Sequence, residues 1–329
     1  MDPSCRLISP IIGQKDMRCP SHLLFKTQKK MKLTLHHHLA QLHSTLLYRS
    51  LTFLLFFQLL GLSSCQYEYK IDERLLTVSI EPLRYITEAI AGDCYTITTL
   101  TPEGVSPESY MPTPQQFAKM NDGSAYIYIG SLGFEMQNIS KIIENCPHLY
   151  VVDVSSNIPA ITHQHSCDAS DSADPHIWTS PENIKIIARN ICKALVHMDS
   201  TNTLIYKENL VKFNHHIDSI DYAIRHQLKD LKHRTFLINH PALAYFAKQY
   251  KLHQLSIEHE GKEGSAERVA QLIEQCKRDS VKTVFIQKQN SGRAAQRIAE
   301  EIGAKTVTIN PLNYRWDEEI LNIANSLSR

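Results

Sequence analysis

The chain has 329 residues, 43% of them hydrophobic and 21% charged, an ordinary balance for a globular protein long enough to hold two domains with real cores. Its formal net charge is only +1, so electrostatics give no reason to expect a nucleic acid or an acidic partner. The eight cysteines include no Cys-x-x-Cys pair, which argues against a cysteine-rich zinc module.

The front of the chain resembles a secretion signal. An apolar run of about 12 residues, Leu51 to Leu62, is too short to span a bilayer and typical of the h-region of a signal peptide. Leu62-Ser63-Ser64-Cys65 then resembles a lipobox, in which the cysteine is lipidated and becomes the new N-terminus. A plain signal peptide or a short buried helix is the alternative. We expect residues 1–64 to be removed and residues 65–74 to tether an extracytoplasmic, periplasmic protein to the membrane.

The rest of the chain alternates strands with helices, which predicts parallel sheets covered on both faces. Predicted strands are Leu75–Ile80, Tyr95–Leu100, Ala125–Ile129, Leu149–Val154, Thr235–Ile238, Leu252–Ile257, Thr283–Ile286 and Lys305–Ile309. Predicted helices are Pro82–Ala91, a short helix opened by Thr113-Pro114, Ala242–Tyr250, Ser265–Arg278, Gly292–Ile302 and Trp316–Leu327.

One segment breaks this alternation. From Thr201 to Leu231 there is no Gly or Pro, and apolar residues recur at near-helical spacing, which predicts a helix of about 45 Å. We therefore expect an α/β fold of two lobes, at residues 75–200 and 233–329, joined by one long helix at 201–232. A cleft between such lobes is a favoured place for a ligand.

The segment Asp174-Pro175-His176-Ile177-Trp178-Thr179-Ser180-Pro181 holds a histidine between a rigid proline and a large aromatic residue. Thr179-Ser180-Pro181-Glu182 has the features of a helix start, with a hydroxyl cap and a proline in the first turn. His176 is thus well placed as a metal ligand or an acid–base group, although a structural hydrogen bond is the commoner role of such a residue.

Three more residues of ligand type follow predicted strands. Glu108 lies in the loop after the second strand, and His240 and Glu258 end the first two strands of the second lobe. A solvated carboxylate or a helix-capping histidine would explain any one of them. Several together at the inner ends of two lobes indicate a shared site.

These motifs resemble those of the metal-ion solute-binding proteins of ABC transporters, the extracytoplasmic zinc and manganese lipoproteins. The Asp174 to Pro181 segment is similar to the family's Asp-Pro-His-x-Trp signature. Ser109-Tyr110-Met111-Pro112-Thr113-Pro114 is similar to the segment after its first ligand, and His240-Pro241-Ala242-Leu243-Ala244-Tyr245-Phe246 to the segment of its third ligand. The resemblance covers the chain from about Leu75 to the end, with the motifs in family order.

The resemblance implies capture of a divalent ion, Zn²⁺ before Mn²⁺, by Glu108, His176 and His240, and delivery to an ABC permease of the inner membrane, without catalysis. The family usually has a histidine where this chain has Glu108, but glutamate is a competent ligand for either metal. The fourth position is expected at Glu258 or at Asn310, where some family members have an aspartate. Because ligand histidines must be neutral, we expect release as the pH falls through about 6.5.

Two further hypotheses concern the same chemistry. His163 and His165, in a loop with Cys167 and two aspartates, could collect metal for the main site, or the loop could simply be solvated. The alternative function is a lipid-anchored zinc-dependent hydrolase that uses the same residues with a metal-bound water. No HExxH motif or serine elbow supports it.

Overall fold

The computed structural model describes residues 39, 41–56, 71–162, 173–259 and 262–328. Residues 41–56 form a helix with exposed side chains, and they belong to a different unit from the compact unit of the described residues from 71 onward. Within these described ranges, no helix has both the length and the apolarity that a bilayer crossing requires. The predicted lipidation residue Cys65 and the end of the predicted signal segment lie outside the described residues.

The first lobe is built on a four-stranded parallel sheet. Its strands are β1 (Asp72–Val78), β2 (Thr96–Thr99), β3 (Gly123–Tyr128) and β4 (Tyr150–Asp153). They are hydrogen-bonded in the order β2-β1-β3-β4, and every pairing is parallel. Because helices cover both faces, the central strands are nearly continuous apolar runs, in which Leu76, Val78 and Ile127 are at most 1% exposed.

Four helices flank this sheet. They are α1 (Glu81–Ala91), α2 (Pro114–Asn121), α3 (Gly133–Asn145) and α4 (Pro181–Met198). The predicted start of α4 is confirmed, because Ser180 accepts a hydrogen bond from the backbone N–H of Asn183 at 3.3 Å. Helix α3 was not predicted. It follows Leu132, which has no side-chain oxygen, and the carboxylate of Glu135 accepts from the Leu132 N–H at 3.2 Å instead.

The predicted connecting helix is α5 (Thr203–Leu228), and its 26 residues give a length of about 39 Å. A 3₁₀ turn at Ser200–Asn202 precedes it. The carboxylate of Asp199 caps that turn, accepting from the backbone N–H groups of Thr201 at 3.1 Å and Asn202 at 3.4 Å. At its other end the helix stops at Leu228, three residues before the predicted Leu231.

The second lobe repeats the architecture of the first. Its main strands are β5 (Thr235–Ile238), β6 (His253–Ser256), β9 (Thr283–Gln287) and β10 (Lys305–Ile309), and β7 (Glu258–His259) and β8 (Lys262–Glu263) form a small antiparallel pair. Its helices are α6 (Ala244–Gln249), α7 (Ala266–Arg278), α8 (Arg293–Ile302) and α9 (Trp316–Ser328). The main strands lie in the order β10-β9-β5-β6, all parallel. Counted along the chain within each lobe, both sheets have the order 2-1-3-4.

The two lobes share one apolar core. Helix α5 packs on α1 and α4 of the first lobe and on α9 of the second, and a single cluster of buried residues includes side chains of both lobes. Next to it, Trp178 Nε1 donates to the carbonyl oxygen of Pro311 at 2.9 Å, and Trp316 Nε1 donates to the carbonyl oxygen of Trp178 at 2.8 Å. We call Trp178, Pro311 and Trp316 the tryptophan seam. It fixes the two lobes against each other beside the strand ends.

Candidate metal site

Three residues predicted from the sequence lie at the carboxyl ends of strands in the two lobes. Glu108 follows β2, His176 follows β4, and His240 follows β5. In parallel sheets these ends share one edge, which is where α/β proteins bind ligands. One ligand-type atom from each of the three side chains lies within 4.8 Å of the other two. The structure therefore brings together residues separated by up to 132 positions of sequence.

The spacing of these atoms fits a small cation. Glu108 Oε1 is 2.9 Å from His240 Nε2 and 3.3 Å from His176 Nε2, and the two imidazole rings lie 5.2 Å apart at an interplanar angle of 69°. Bonds of 2.0–2.1 Å at tetrahedral angles place neighbouring ligand atoms about 3.3 Å apart. A zinc-sized ion would need only small side-chain shifts to bind all three.

His176 is fixed by its neighbours in the Asp-Pro-His motif. Asp174 Oδ1 lies 2.9 Å from His176 Nδ1 and also accepts from the His176 backbone N–H at 2.8 Å. An imidazole that donates Nδ1–H to this carboxylate can present Nε2, on the side of Glu108, to a metal ion. The indole of Trp178, which is fully buried, lies 5.1 Å from the imidazole and forms an apolar wall. The motif thus supplies a ligand, the group that orients it and a dry surface.

His240 has an equivalent partner in Glu258, whose Oε2 is 3.1 Å from His240 Nδ1, while Glu258 Oε1 accepts from Asn290 Nδ2 at 3.3 Å. Burial alone would lower the pKa of His240, but hydrogen bonds to Glu108 and Glu258 raise that pKa to about 9. The metal-free ring is therefore protonated near neutral pH and donates to both carboxylates. Proton competition with a metal begins at a higher pH than the value of about 6.5 expected for an ordinary histidine.

The charge and the position of Glu108 are both set by its neighbours. Burial by itself would raise the pKa of Glu108, but the hydrogen bond from His240 and the charges of both histidines bring the pKa below its usual value. A Cβ added to Gly133, the first residue of α3, would lie 2.7 Å from the carbonyl oxygen of Glu108, so only glycine allows this close approach. At the far end of the loop, Gln116 accepts from Tyr110 at 2.6 Å and donates to the carbonyl oxygen of Leu100 at 3.0 Å.

The remaining predicted residues lie elsewhere. Glu258 contacts the ring nitrogen of His240 that faces away from Glu108, the position of an orienting partner. Asn310 accepts from Gln289 Nε2 at 2.6 Å through its side-chain oxygen. His163 and His165 lie outside the described residues. The sequence reasoning missed the role of Asp174, although its spacing of two residues from His176 was a usable signal.

Two α/β lobes that share one core, with imidazole and carboxylate side chains meeting between them, define a solute-binding protein of the metal-ion class. The chain belongs to the family described as zinc-uptake complex component A, periplasmic (ZnuA), whose sequence model matches residues 76–320. The predictions of the family and of the two-lobed α/β fold class are thereby confirmed.

Individual proteins show the same likeness. A putative metal-binding protein of Treponema pallidum (strain Nichols) is 28% identical over 276 residues, 78% of this chain and 87% of that protein. The high-affinity zinc uptake system protein ZnuA of Bacillus subtilis (strain 168) is 27% identical over 259 residues, 75% of this chain and 81% of that protein. A crystal structure of ZnuA superposes with a TM-score of 0.73 at 34% identity, covering 78% of this chain and 98% of that chain.

Proposed function

We propose that this protein captures a divalent transition metal outside the cytoplasm, zinc in preference to manganese, and delivers it to an ABC permease of the inner membrane. The observation that carries the proposal is the meeting of Glu108, His176 and His240 between two lobes. Membership of the zinc-uptake family and the likeness to the Bacillus subtilis zinc uptake protein support the direction of transport.

The ligand chemistry supports zinc as the main cargo. Two imidazoles and one carboxylate form a borderline-soft set that suits tetrahedral Zn²⁺, and the general affinity order places zinc well above manganese at equal ligands. The carboxylates of Asp174 and Glu258 behind the two imidazoles increase their basicity as ligands. Cargo held in this way would lie between the lobes, against the buried side of His176.

Metal titration of the purified protein tests the proposal. After treatment with a chelator, the chain is expected to bind one zinc ion, and His176→Ala and His240→Ala are each expected to weaken binding strongly. His215→Ala, on the exposed face of α5, is the matched control and should leave binding unchanged. Competition between zinc and manganese then gives the preference directly. Full affinity in both site variants would refute the proposal.

Attachment to the membrane through a lipid on Cys65 is part of the same proposal, with residues 1–64 removed. The tether, expected at residues 65–74, is shortened to residues 65–71, because β1 begins at Asp72. Metabolic labelling with a radioactive fatty acid should mark the wild-type protein but not Cys65→Ala. Labelling of that variant would argue for a different anchor.

His163 and His165 are proposed to speed loading of the main site, so replacing both should slow zinc uptake from a dilute solution without changing the final affinity.

The alternative of a zinc-dependent hydrolase receives no support from the relatives, which are named for metal binding and zinc uptake. Turnover of ester, peptide or phosphate substrates by the zinc-loaded protein, lost in His240→Ala, would favour the hydrolase instead.

A further inference from the structure

A fourth side chain reaches the pocket that Glu108, His176 and His240 line. Gln287, the last residue of β9, lines the same pocket and is 5% exposed. Its side-chain oxygen Oε1 is buried and has no hydrogen-bond partner among the residues that the structure describes. Buried amide oxygens are nearly always paired, because leaving one unpaired is unfavourable. A binding partner in the pocket would account for this one.

The backbone of Gln287 is fixed relative to His240. Its N–H donates to Oδ1 of Asn239, the residue before His240, at 3.0 Å, and its carbonyl oxygen accepts from the N–H of Asn290 at 3.0 Å. The strand that ends at Gln287 also pairs directly with β5, the strand that leads to His240. The terminal amide torsion of a glutamine is soft, so Oε1 can turn into the pocket while the backbone stays in place.

The two fourth ligands expected from the sequence are engaged in other contacts. Both oxygens of Glu258 have partners, His240 Nδ1 at 3.1 Å and Asn290 Nδ2 at 3.3 Å. The side-chain oxygen of Asn310 accepts from Gln289 Nε2 at 2.6 Å. Gln287 differs from both because it lines the pocket of the three ligands and its side-chain oxygen has no partner among the described residues.

We propose that the side-chain oxygen of Gln287 supplies the fourth ligand of the bound cation and sets the preference for zinc over manganese. This inference rests on the proposed function. With Gln287 neutral, the ligand set contains a single carboxylate and two imidazoles, which leaves one net positive charge on the loaded site. Manganese favours oxygen-rich sites with more carboxylates, whereas zinc tolerates this nitrogen-rich set.

The test is an amide-to-carboxylate change in the full-length protein. Gln287→Glu adds a second carboxylate at the proposed position, so the ratio of zinc affinity to manganese affinity should fall by about 10-fold or more, the scale on which neighbouring groups tune metal sites. Gln287→Met keeps the length of the side chain but removes the oxygen, and should weaken binding of both metals. It should also alter the visible absorption of the cobalt-loaded protein, which reports coordination geometry. Gln296→Glu, on the exposed face of α8, introduces the same charge away from the pocket and is the control.

The possible outcomes distinguish the role of Gln287 from the proposed capture function on which it rests. Wild-type zinc and manganese constants in both Gln287 variants, measured by chelator competition, would overturn the role of Gln287 while leaving the capture proposal intact. A fall of the affinity ratio in Asn310→Asp but not in Gln287→Glu would also overturn it and assign the position to Asn310. If the wild-type chain binds no zinc, or if His176→Ala has no effect, both proposals fail. Thermal unfolding of each variant verifies that it is folded.

Discussion

Replacing Glu258 with glutamine tests how the orienting carboxylates work. Glu258→Gln keeps the shape of the side chain and an oxygen for the contact of 3.1 Å to His240 Nδ1, but it removes the negative charge. Two consequences oppose each other. The imidazole of His240 becomes a weaker metal ligand. Without a metal it also loses its proton more readily, because the charge of Glu258 no longer helps to raise the pKa of His240.

The balance of these effects depends on pH. With the pKa of His240 at about 9, proton competition at about pH 7 weakens metal binding roughly 100-fold, and the competition disappears as the pH rises through 9. Losing an orienting carboxylate typically reduces metal affinity 10–100-fold at any pH. For Glu258→Gln we therefore expect the full loss at about pH 9.5, where the ring is already neutral, and a clearly smaller loss at about pH 7.

Zinc competition against a chromophoric chelator at both pH values measures the two losses. Calorimetry in two buffers of different ionisation heat counts the protons, and the wild-type protein should release about one proton on zinc binding near pH 7, the variant fewer. Glu274→Gln, on the exposed surface of α7 beside Lys277, is the matched control. Equal fold losses at the two pH values, with an unchanged proton count, would refute the assignment of Glu258 as an orienting partner.

Three other predictions follow from single side chains. Glu108→Ala should weaken zinc binding by more than about 100-fold, beyond the range typical of orienting partners, whereas Glu108→His should restore it in the same chelator assay. Glu135 is fully buried, and burial raises its pKa from 4.5 to about 7 against opposing hydrogen bonds from Ser79 and backbone N–H groups. The contribution of protonated Glu135 to stability, up to ~3 kcal/mol, is therefore fully present below about pH 4.5 and lost as the pH rises through about 7. In Glu135→Gln the difference in unfolding free energy between pH 5 and pH 8 should be smaller than in the wild-type protein. An unchanged difference would contradict this. Trp316→Phe leaves the carbonyl oxygen of Trp178 without its donor and should lower the urea unfolding free energy by about 1–3 kcal/mol; a change below 0.5 kcal/mol would mean that the seam is not fixed by this bond.

The sequence predicted most of the regular structure because buried parallel strands are short apolar runs with clear ends. The third strand was expected at Ala125–Ile129 and lies at Gly123–Tyr128, and the first helix was expected at Pro82–Ala91 and begins one residue earlier. Helix α3 escaped prediction because its cap comes from Glu135 inside the helix, so no hydroxyl residue marks its start. Local signals cannot reveal a cap supplied in this way.

The candidate ligands could be proposed because parallel topology places successive strand ends at one edge. The sequence could not predict which of these residues bind the ion and which orient a ligand. Whether Glu258 binds the ion or orients His240 depends on which ring nitrogen it contacts, and that follows from the packing of β6 against β5. Gln287 carried no signal in the sequence, because a glutamine at the end of a strand is unremarkable until its environment is known.

The tryptophan seam and the shared core affect the thermodynamics of loading. A binding protein that swings shut around its cargo buries apolar surface as it does so, and binding then shows a negative change in heat capacity. Here Trp178 is fully buried and bonded across the lobes, within a core that both lobes share. Metal binding should therefore change the heat capacity very little, because the dimensions of the site are set by the folding of the chain.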